Sequence, residues 1–249
     1  MTNLSAPALD RTGFADLLAR FYSRLDAEEM LYEALTRDLK DRVALVSSFG
    51  AESVALIHLV AKVAADTPVI FLDTEMLFPE TLAYQARLAR ELGLTDMRII
   101  RPDPGAAQLD DPARTLHQRD TDACCHLRKV APLARALDGF DGWITGRKRF
   151  QGATRAALSP VEVDEAGRLK LNPLADWDAQ RIRAYMKTHD LPPHPLVAQG
   201  YPSIGCAPCT SRAAPGEDPR AGRWRGEAKA ECGIHFVDGK PVRGNQPTV

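Results

Sequence analysis

Five cysteines hold most of the chemistry this sequence can do. Cys124 and Cys125 are adjacent, Cys206 and Cys209 form a C-x-x-C, and Cys232 stands apart in Glu231-Cys232-Gly233-Ile234-His235. Two pairs can bring four thiolates to one metal centre, which leaves Cys232, beside charged residues, as a candidate nucleophile. A structural zinc site usually pairs two C-x-x-C hooks, and an adjacent Cys-Cys is an awkward replacement for one. A thioredoxin-type redox C-x-x-C precedes a helix in a different sheet context and would leave Cys124 and Cys125 unexplained. Four thiolates on a 4Fe–4S cluster fit the count and a reducing compartment. Residue chemistry alone leaves cluster and zinc both open.

Two further features could bind an anion. The turn Ser47-Ser48-Phe49-Gly50-Ala51-Glu52-Ser53 leaves a predicted strand and enters a predicted helix, where free backbone amides and small hydroxyls suit a phosphate. An ordinary N-cap turn has the same composition, so the motif is weak by itself. Basic residues gather in Gly146–Arg155, with Arg147, Lys148, Arg149 and Arg155, and again in Arg212, Arg220, Arg223 and Arg225. Such runs usually form solvated faces. Placed at an active edge, their guanidinium groups would match phosphate or sulfate oxygens in pairs.

The elements needed to place these groups can be read from apolar patterning. Val43–Val46, Val69–Leu72, Met97–Ile100 and Trp143–Thr145 read as short buried strands. Helices are expected over 14–40, 52–65, 79–92, 124–137 and 178–188, with an irregular stretch at 101–112. Leu158–Val163 and Arg168–Leu171 are expected to pair around Glu165-Ala166-Gly167. Alternating strands and helices imply an α/β fold, a mostly parallel sheet with helices on both faces, and ligands bind beyond the carboxyl ends of such strands. The loops leaving those ends are Ser47–Ser53, Asp73–Glu75 and Gly146–Arg155. From Leu191 onward proline, glycine and arginine dominate, so the chain divides into residues 1–190 and a loop-rich segment, 191–249, within one compact unit.

Composition bounds the rest. Hydrophobic and charged contents of 45% and 26% are those of a soluble globular protein. A net charge of −1 offers no general attraction for nucleic acid or membrane. The N-terminus lacks a secretory signal pattern, and no apolar run reaches the length of a membrane span. A cytoplasmic location with reduced thiols is therefore expected.

Several motifs agree in order with one family. Cys124-Cys125-x-x-Arg128-Lys129-Val130-x-Pro132-Leu133, Cys206-x-x-Cys209-Thr210, Gly216-Glu217-Asp218-x-Arg220-Ala221-Gly222-Arg223-Trp224 and Glu231–His235 resemble the assimilatory sulfonucleotide reductases. They resemble in particular the iron–sulfur branch that reduces adenosine 5′-phosphosulfate (APS). Ser47–Ser53, Leu72-Asp73-Thr74, Phe78-Pro79-Glu80-Thr81 and Gly146–Gln151 extend the match. The sequence departs from the family's arginine loop in having Lys148 and Arg149 as the basic pair and Gly152 in place of serine, and it continues 14 residues past His235.

The resemblance implies a PP-loop (adenine nucleotide alpha hydrolase-like) fold and one 4Fe–4S cluster on Cys124, Cys125, Cys206 and Cys209. It implies thioredoxin as electron donor and Cys232 as the nucleophile that accepts the sulfonate. Ser47, Ser48, Gly50 and Ser53 would line the nucleotide pocket, Asp73 and Thr74 the nucleoside, and Arg149 and Gln151 the arginine loop. Lys129, Arg220, Arg223 and His235 would surround the sulfonate. The competing enzymes are a reductase of the 3′-phosphorylated nucleotide (PAPS) and an ATP-dependent PP-loop enzyme that thiolates tRNA. The second normally shows S-G-G-x-D-S, which the turn at Ser47 lacks. A metal-dependent nucleic-acid-binding module fits poorly with the charge. Oligomeric state, a homo-oligomer included, is left open.

Overall fold

A computed structural model describes residues 10–151, 155–227, 229 and 234. Six strands form one sheet in the order β3-β2-β1-β4-β6-β5. They are β1 (Val43–Val46), β2 (Val69–Leu72), β3 (Met97–Ile100), β4 (Gly142–Ile144), β5 (Val161–Val163) and β6 (Leu169–Leu171). All pairings are parallel except β5 with β6, the hairpin expected around Glu165-Ala166-Gly167.

Burial explains why β1 is central. Its four residues are all inside, and alternate side chains serve opposite faces. Val43 and Leu45 join the larger core, built with α1 (Arg11–Tyr22), α2 (Ala27–Glu33), α3 (Ser53–Ala64) and α9 (Ala179–Thr188). Ala44 and Val46 join a smaller cluster with Ile70, Trp143 and, from α8 (Ala131–Ala136), Leu133. At Gly142 an added Cβ would lie 2.6 Å from the Leu169 carbonyl oxygen, so the β4–β6 contact requires glycine.

Two expectations about helices are corrected. The region 14–40 is not one helix: α1 ends at Tyr22, and Asp26 starts α2 with a capping box closed by Glu29, after which the chain makes a π turn, Ala34–Asp38. The stretch 101–112 contains a helix, α5 (Pro104–Asp110), capped by Asp103 and opened by proline. The helix over 79–92 is α4 (Pro79–Glu91). Short helices α6 (Leu116–Arg119) and α7 (Thr121–Cys125) then lead through a second π turn, His126–Val130, into α8.

Strand order places the functional loops. From β1 the chain crosses to β2 on one side, while β4 pairs on the other, so a crevice opens beyond the carboxyl ends of β1 and β4. The ladder runs one residue past each strand: Ser47 donates to the Ile70 carbonyl at 3.1 Å, Asp73 to Ile100 at 2.9 Å and Thr145 to Leu171 at 2.9 Å. The three predicted loops therefore leave from one edge.

Candidate active site

The turn after β1 is shaped by Phe49, a non-glycine residue with φ of 48°. That left-handed conformation is unfavourable for a side chain. Here it is held by full burial of the ring, edge-on to Phe71 with centroids 5.3 Å apart. Ser47 Oγ accepts from the Phe49 amide at 3.2 Å. Ser48, Gly50 and Ser53 lie together: an added Cβ at Gly50 would stand 3.4 Å from Ser48 Oγ and 3.8 Å from Ser53 Oγ. The Ile204 carbonyl oxygen would be equally near, so the C-terminal segment passes over this turn.

The loop after β4 meets the turn through Glu52. Its carboxylate accepts from Lys148 Nζ at 2.8 Å and Gln151 Nε2 at 3.2 Å. The Lys148 side chain is only 4% exposed. Burial holds its pKa below the usual lysine value although Glu52 opposes the shift, and the Arg155 and Arg220 charges push it the same way as burial. Arg220 thus brings the second basic run to the first. Arg149 turns elsewhere, donating to the Leu158 carbonyl at 2.9 Å and pairing with Asp176. Lys148, not Arg149, is the member of the basic pair that reaches the turn after β1.

The loop after β2 meets the cysteines. Leu77 and Cys206 form a β-bridge, and the Ala207 amide donates to Met76 at 2.8 Å. Thr74 Oγ1 lies 3.2 Å from Cys206 Sγ. Asp73 is occupied by Arg101 at 2.9 Å and by the Glu75 amide at 3.0 Å. Cys124, Cys125, Cys206 and Cys209 line one small cavity with Met76, Arg128, Lys129 and Trp224. Among the described residues, no three His, Cys, Asp or Glu side chains close on a point as one ion would require.

The cavity is electrostatically uneven. Burial raises the Cys124 thiol to about 12 and the Cys209 thiol to about 11, with neighbouring sulfurs adding to both. Burial alone would raise Cys206 too. The Lys129 amine, the Thr74 hydroxyl and the Arg223 guanidinium outweigh it and bring Cys206 below its ordinary value. Arg223 stacks over Trp224 at 4.5 Å and fills the space left by the missing side chain of Gly205. Arg223 Nε and Trp224 Nε1 are buried without a hydrogen-bond partner among the described residues, which marks a place prepared for a polar group.

Sequence reasoning gave no role to three groups. Arg128, buried, donates to the Thr74 carbonyl at 3.0 Å and to Asp111 at 2.9 Å, and so ties the Cys-Cys helix to the β2 loop. Asp111 is the second. Glu52 is the third, although it stands inside the turn motif. The Cys-Cys-x-x-Arg spacing signals Arg128, but nothing local points to Asp111. Cys232 and His235 lie outside the described residues.

Comparison with known proteins decides the family. A model described as the phosphoadenosine phosphosulfate reductase domain matches residues 42–212. The chain belongs to this family. An adenosine 5′-phosphosulfate reductase of Mesorhizobium japonicum is 49% identical over 219 residues, 88% of this chain and 86% of that protein. A phosphoadenosine 5′-phosphosulfate reductase of Gloeobacter violaceus is 42% identical over 234 residues, 92% of this chain and 96% of that protein. The crystal structure of a phosphoadenylyl-sulfate reductase from Candida auris, a phosphate complex, superposes with a TM-score of 0.70 at 26% identity. It covers 83% of this chain and 100% of that one. The α/β PP-loop-like fold expected from the sequence is the fold of this family, and its members are sulfur-group oxidoreductases.

Proposed function

We propose that the protein reduces APS to sulfite and AMP, with thioredoxin as the electron donor. The observation that carries this reading is the meeting of two sites at one sheet edge. The anion turn after β1 and the β2 loop leave the same sheet edge, the β2 loop meets the four-cysteine cavity where Thr74 touches Cys206, and the Lys129 and Arg223 charges lie beside Cys206. Ser47, Ser48, Gly50 and Ser53 take the nucleotide phosphate, Asp73 and Thr74 the nucleoside side, and Arg149 and Gln151 belong to the arginine loop. Lys129, Arg220, Arg223 and His235 surround the sulfonate. Residues 191–249 complete a site founded on residues 1–190.

The Cys232 thiolate attacks the sulfonate sulfur. A sulfur–sulfur bond forms, the sulfur–oxygen bond breaks, and AMP leaves with the electron pair. A thioredoxin thiolate then attacks the Cys232 sulfur, releasing sulfite and leaving a mixed disulfide that the second thioredoxin thiol resolves. Two electrons pass from the dithiol to sulfur, and Cys232 is regenerated. One difficult displacement thereby becomes easier steps. Thiolate and sulfonate repel each other, so fixed positive charge lowers the barrier.

The four cysteines fit a 4Fe–4S cluster. They line one small cavity together with Arg128 and Trp224, whose Nε and Nε1 are buried without a partner among the described residues, and Lys129 lies against Cys206. When bound, the cluster would supply a fixed charge and a cross-link between residues 124–125 and 206–209; the dithiol supplies the electrons. Reduced cysteines suit the cytoplasm, and no helix among the described residues is long and apolar enough to cross a membrane.

Incubation with APS and no thioredoxin should leave a sulfonate adduct on the Glu231-Cys232-Gly233 peptide, detectable by mass spectrometry and discharged as sulfite by reduced thioredoxin. Cys232→Ser should bind APS without forming it. Sulfite release by Cys232→Ser would refute the mechanism, and equal or better turnover of PAPS would reassign the substrate.

A further inference from the structure

Glu52 puts a fixed negative charge into a turn otherwise suited to an anion. It is the N-cap residue of α3, with φ of −110°, yet its side chain does not cap that helix. A helix N-terminus flanked by small hydroxyls draws a phosphate, and a carboxylate beside it repels one. The carboxylate turns to the loop after β4, where it accepts from Lys148 Nζ at 2.8 Å and from Gln151 Nε2 at 3.2 Å. Gln151 Oε1 in turn accepts from Arg155 Nη1 at 2.5 Å. Lys148 and Arg155 are buried, Glu52 is one-third exposed, and the Arg155 and Arg220 charges both bear on Lys148. Three cations and this carboxylate therefore contribute to the charge around the turn, and the carboxylate can be neutralised by a substitution that keeps its shape.

We propose that Glu52 is a specificity-determining residue that selects against nucleotides carrying more negative charge than APS. This deepens the APS reading above and rests on it. A 3′-phosphate adds about 1.5 to 2 negative charges at neutral pH. The repulsion from one fixed carboxylate grows in proportion to the charge of the ligand. Glu52 also engages Lys148 and Gln151, two donors that an additional phosphate would otherwise draw on. Such a repulsive element discriminates without touching the group it rejects. A clamp that merely tied the two loops together would weaken APS and PAPS alike, so the ratio between them separates the two roles.

The experiment compares Glu52→Gln, Glu52→Asp and Lys148→Met with the wild-type holoprotein. Titration calorimetry with AMP and with adenosine 3′,5′-bisphosphate reads discrimination without any reduction step. Thioredoxin-coupled kcat/KM for APS and for PAPS reads it in turnover, with iron content and the unfolding midpoint as controls. Glu52→Gln should shift both ratios about tenfold towards the 3′-phosphorylated nucleotide, the size of a partly screened charge interaction. Glu52→Asp keeps the charge and should keep the ratios. Lys148→Met removes a cation and should shift both ratios the opposite way, which keeps the proposal testable if Glu52→Gln does not fold. Unchanged ratios in Glu52→Gln or in Lys148→Met would overturn the assignment, and parallel losses for both nucleotides would reduce Glu52 to a clamp. A wild-type protein that binds AMP and reduces neither APS nor PAPS refutes the APS reading instead, while the calorimetric contrast still tests Glu52.

Discussion

The absence of one side chain, at Gly205, decides where Arg223 lies. A Cβ there would stand 2.2 Å from Arg223 Nη2 and 2.5 Å from Cζ. Gly205→Ala must displace the guanidinium, but it displaces only the end of a flexible side chain, so stability should change by about 1 kcal/mol or less. If Arg223 faces the sulfonate, adduct formation should slow by about 10²-fold, the loss expected for one preorganised anion donor. An unchanged single-turnover rate would remove Arg223 from the sulfonate site. The basic pair offers a second contrast. Lys148→Met leaves Glu52, which is one-third exposed, with Gln151 as a neutral donor in place of the ion pair, and should cost about 2–3 kcal/mol, less than a fully buried pair. Arg149→Ala breaks an exposed pair with Asp176 and should cost under about 1 kcal/mol. Urea unfolding would separate the two, and equal losses would contradict this assignment of roles. The sequence marks both cations equally; only the path of the loop after β4 distinguishes them.

Between elements, His194 joins α4 to the 3₁₀ turn Pro195–Gln199. Its Nδ1 accepts from the Leu196 amide at 3.2 Å, and Nε2 lies 3.1 Å from Thr81 Oγ1. Burial lowers its pKa to about 4, against a weaker opposing pull from Glu80. The folded protein thus holds His194 neutral where the unfolded chain begins to protonate, near pH 6.5. Stability from this group is complete above that pH and is lost as pH falls towards 4, by about 3 kcal/mol in all. Across pH 7 to 4.5 the unfolding midpoint should fall more steeply in wild type than in His194→Gln, and parallel curves would contradict this. Other elements show what patterning can reveal. Strands β1 and β2 are legible to the residue because four-residue apolar runs buried on both faces resemble little else, whereas β3 is an edge strand with Arg98 and Ile99 exposed. The break between α1 and α2 is hidden by an apolar face that continues across Ser23–Leu25, although Asp26 and Glu29 spell a capping box. In the helix bearing the cysteines, the π turn at His126–Val130 resets the faces on which Arg128 and Lys129 lie. No helical periodicity announces that insertion. The meeting of Glu52 with Lys148 and of Arg128 with Asp111 depends on loops converging from distant positions, which no local pattern encodes.

At the scale of the whole molecule, the segment after α9 returns across the carboxyl edge of the sheet and places Cys206 and Cys209 against a helix fixed by α8. Protein contacts that hold it there include the Leu77–Cys206 bridge, the Ala207 amide donating to Met76 at 2.8 Å, Thr74 Oγ1 at 3.2 Å from Cys206 Sγ and Thr121 Oγ1 donating to Glu227 at 2.7 Å. A cluster on all four cysteines would join the two ends of the site covalently. Because it binds only the folded arrangement, it would also stabilise that arrangement by linkage. Protein purified without oxygen should therefore contain about four irons and four sulfides per chain. Ser at Cys124, Cys125, Cys206 or Cys209 should abolish the cluster, whereas Cys232→Ser should retain it. Removing iron with a chelator should lower the unfolding midpoint. Hydrogen exchange should then quicken over 121–130 and 206–224, while amides of β1 to β3 stay protected, since their core does not involve the cysteines. Stoichiometric zinc without acid-labile sulfide would replace the cluster by a single ion. An unchanged midpoint and exchange pattern after iron removal would show that the return segment is held by its protein contacts alone.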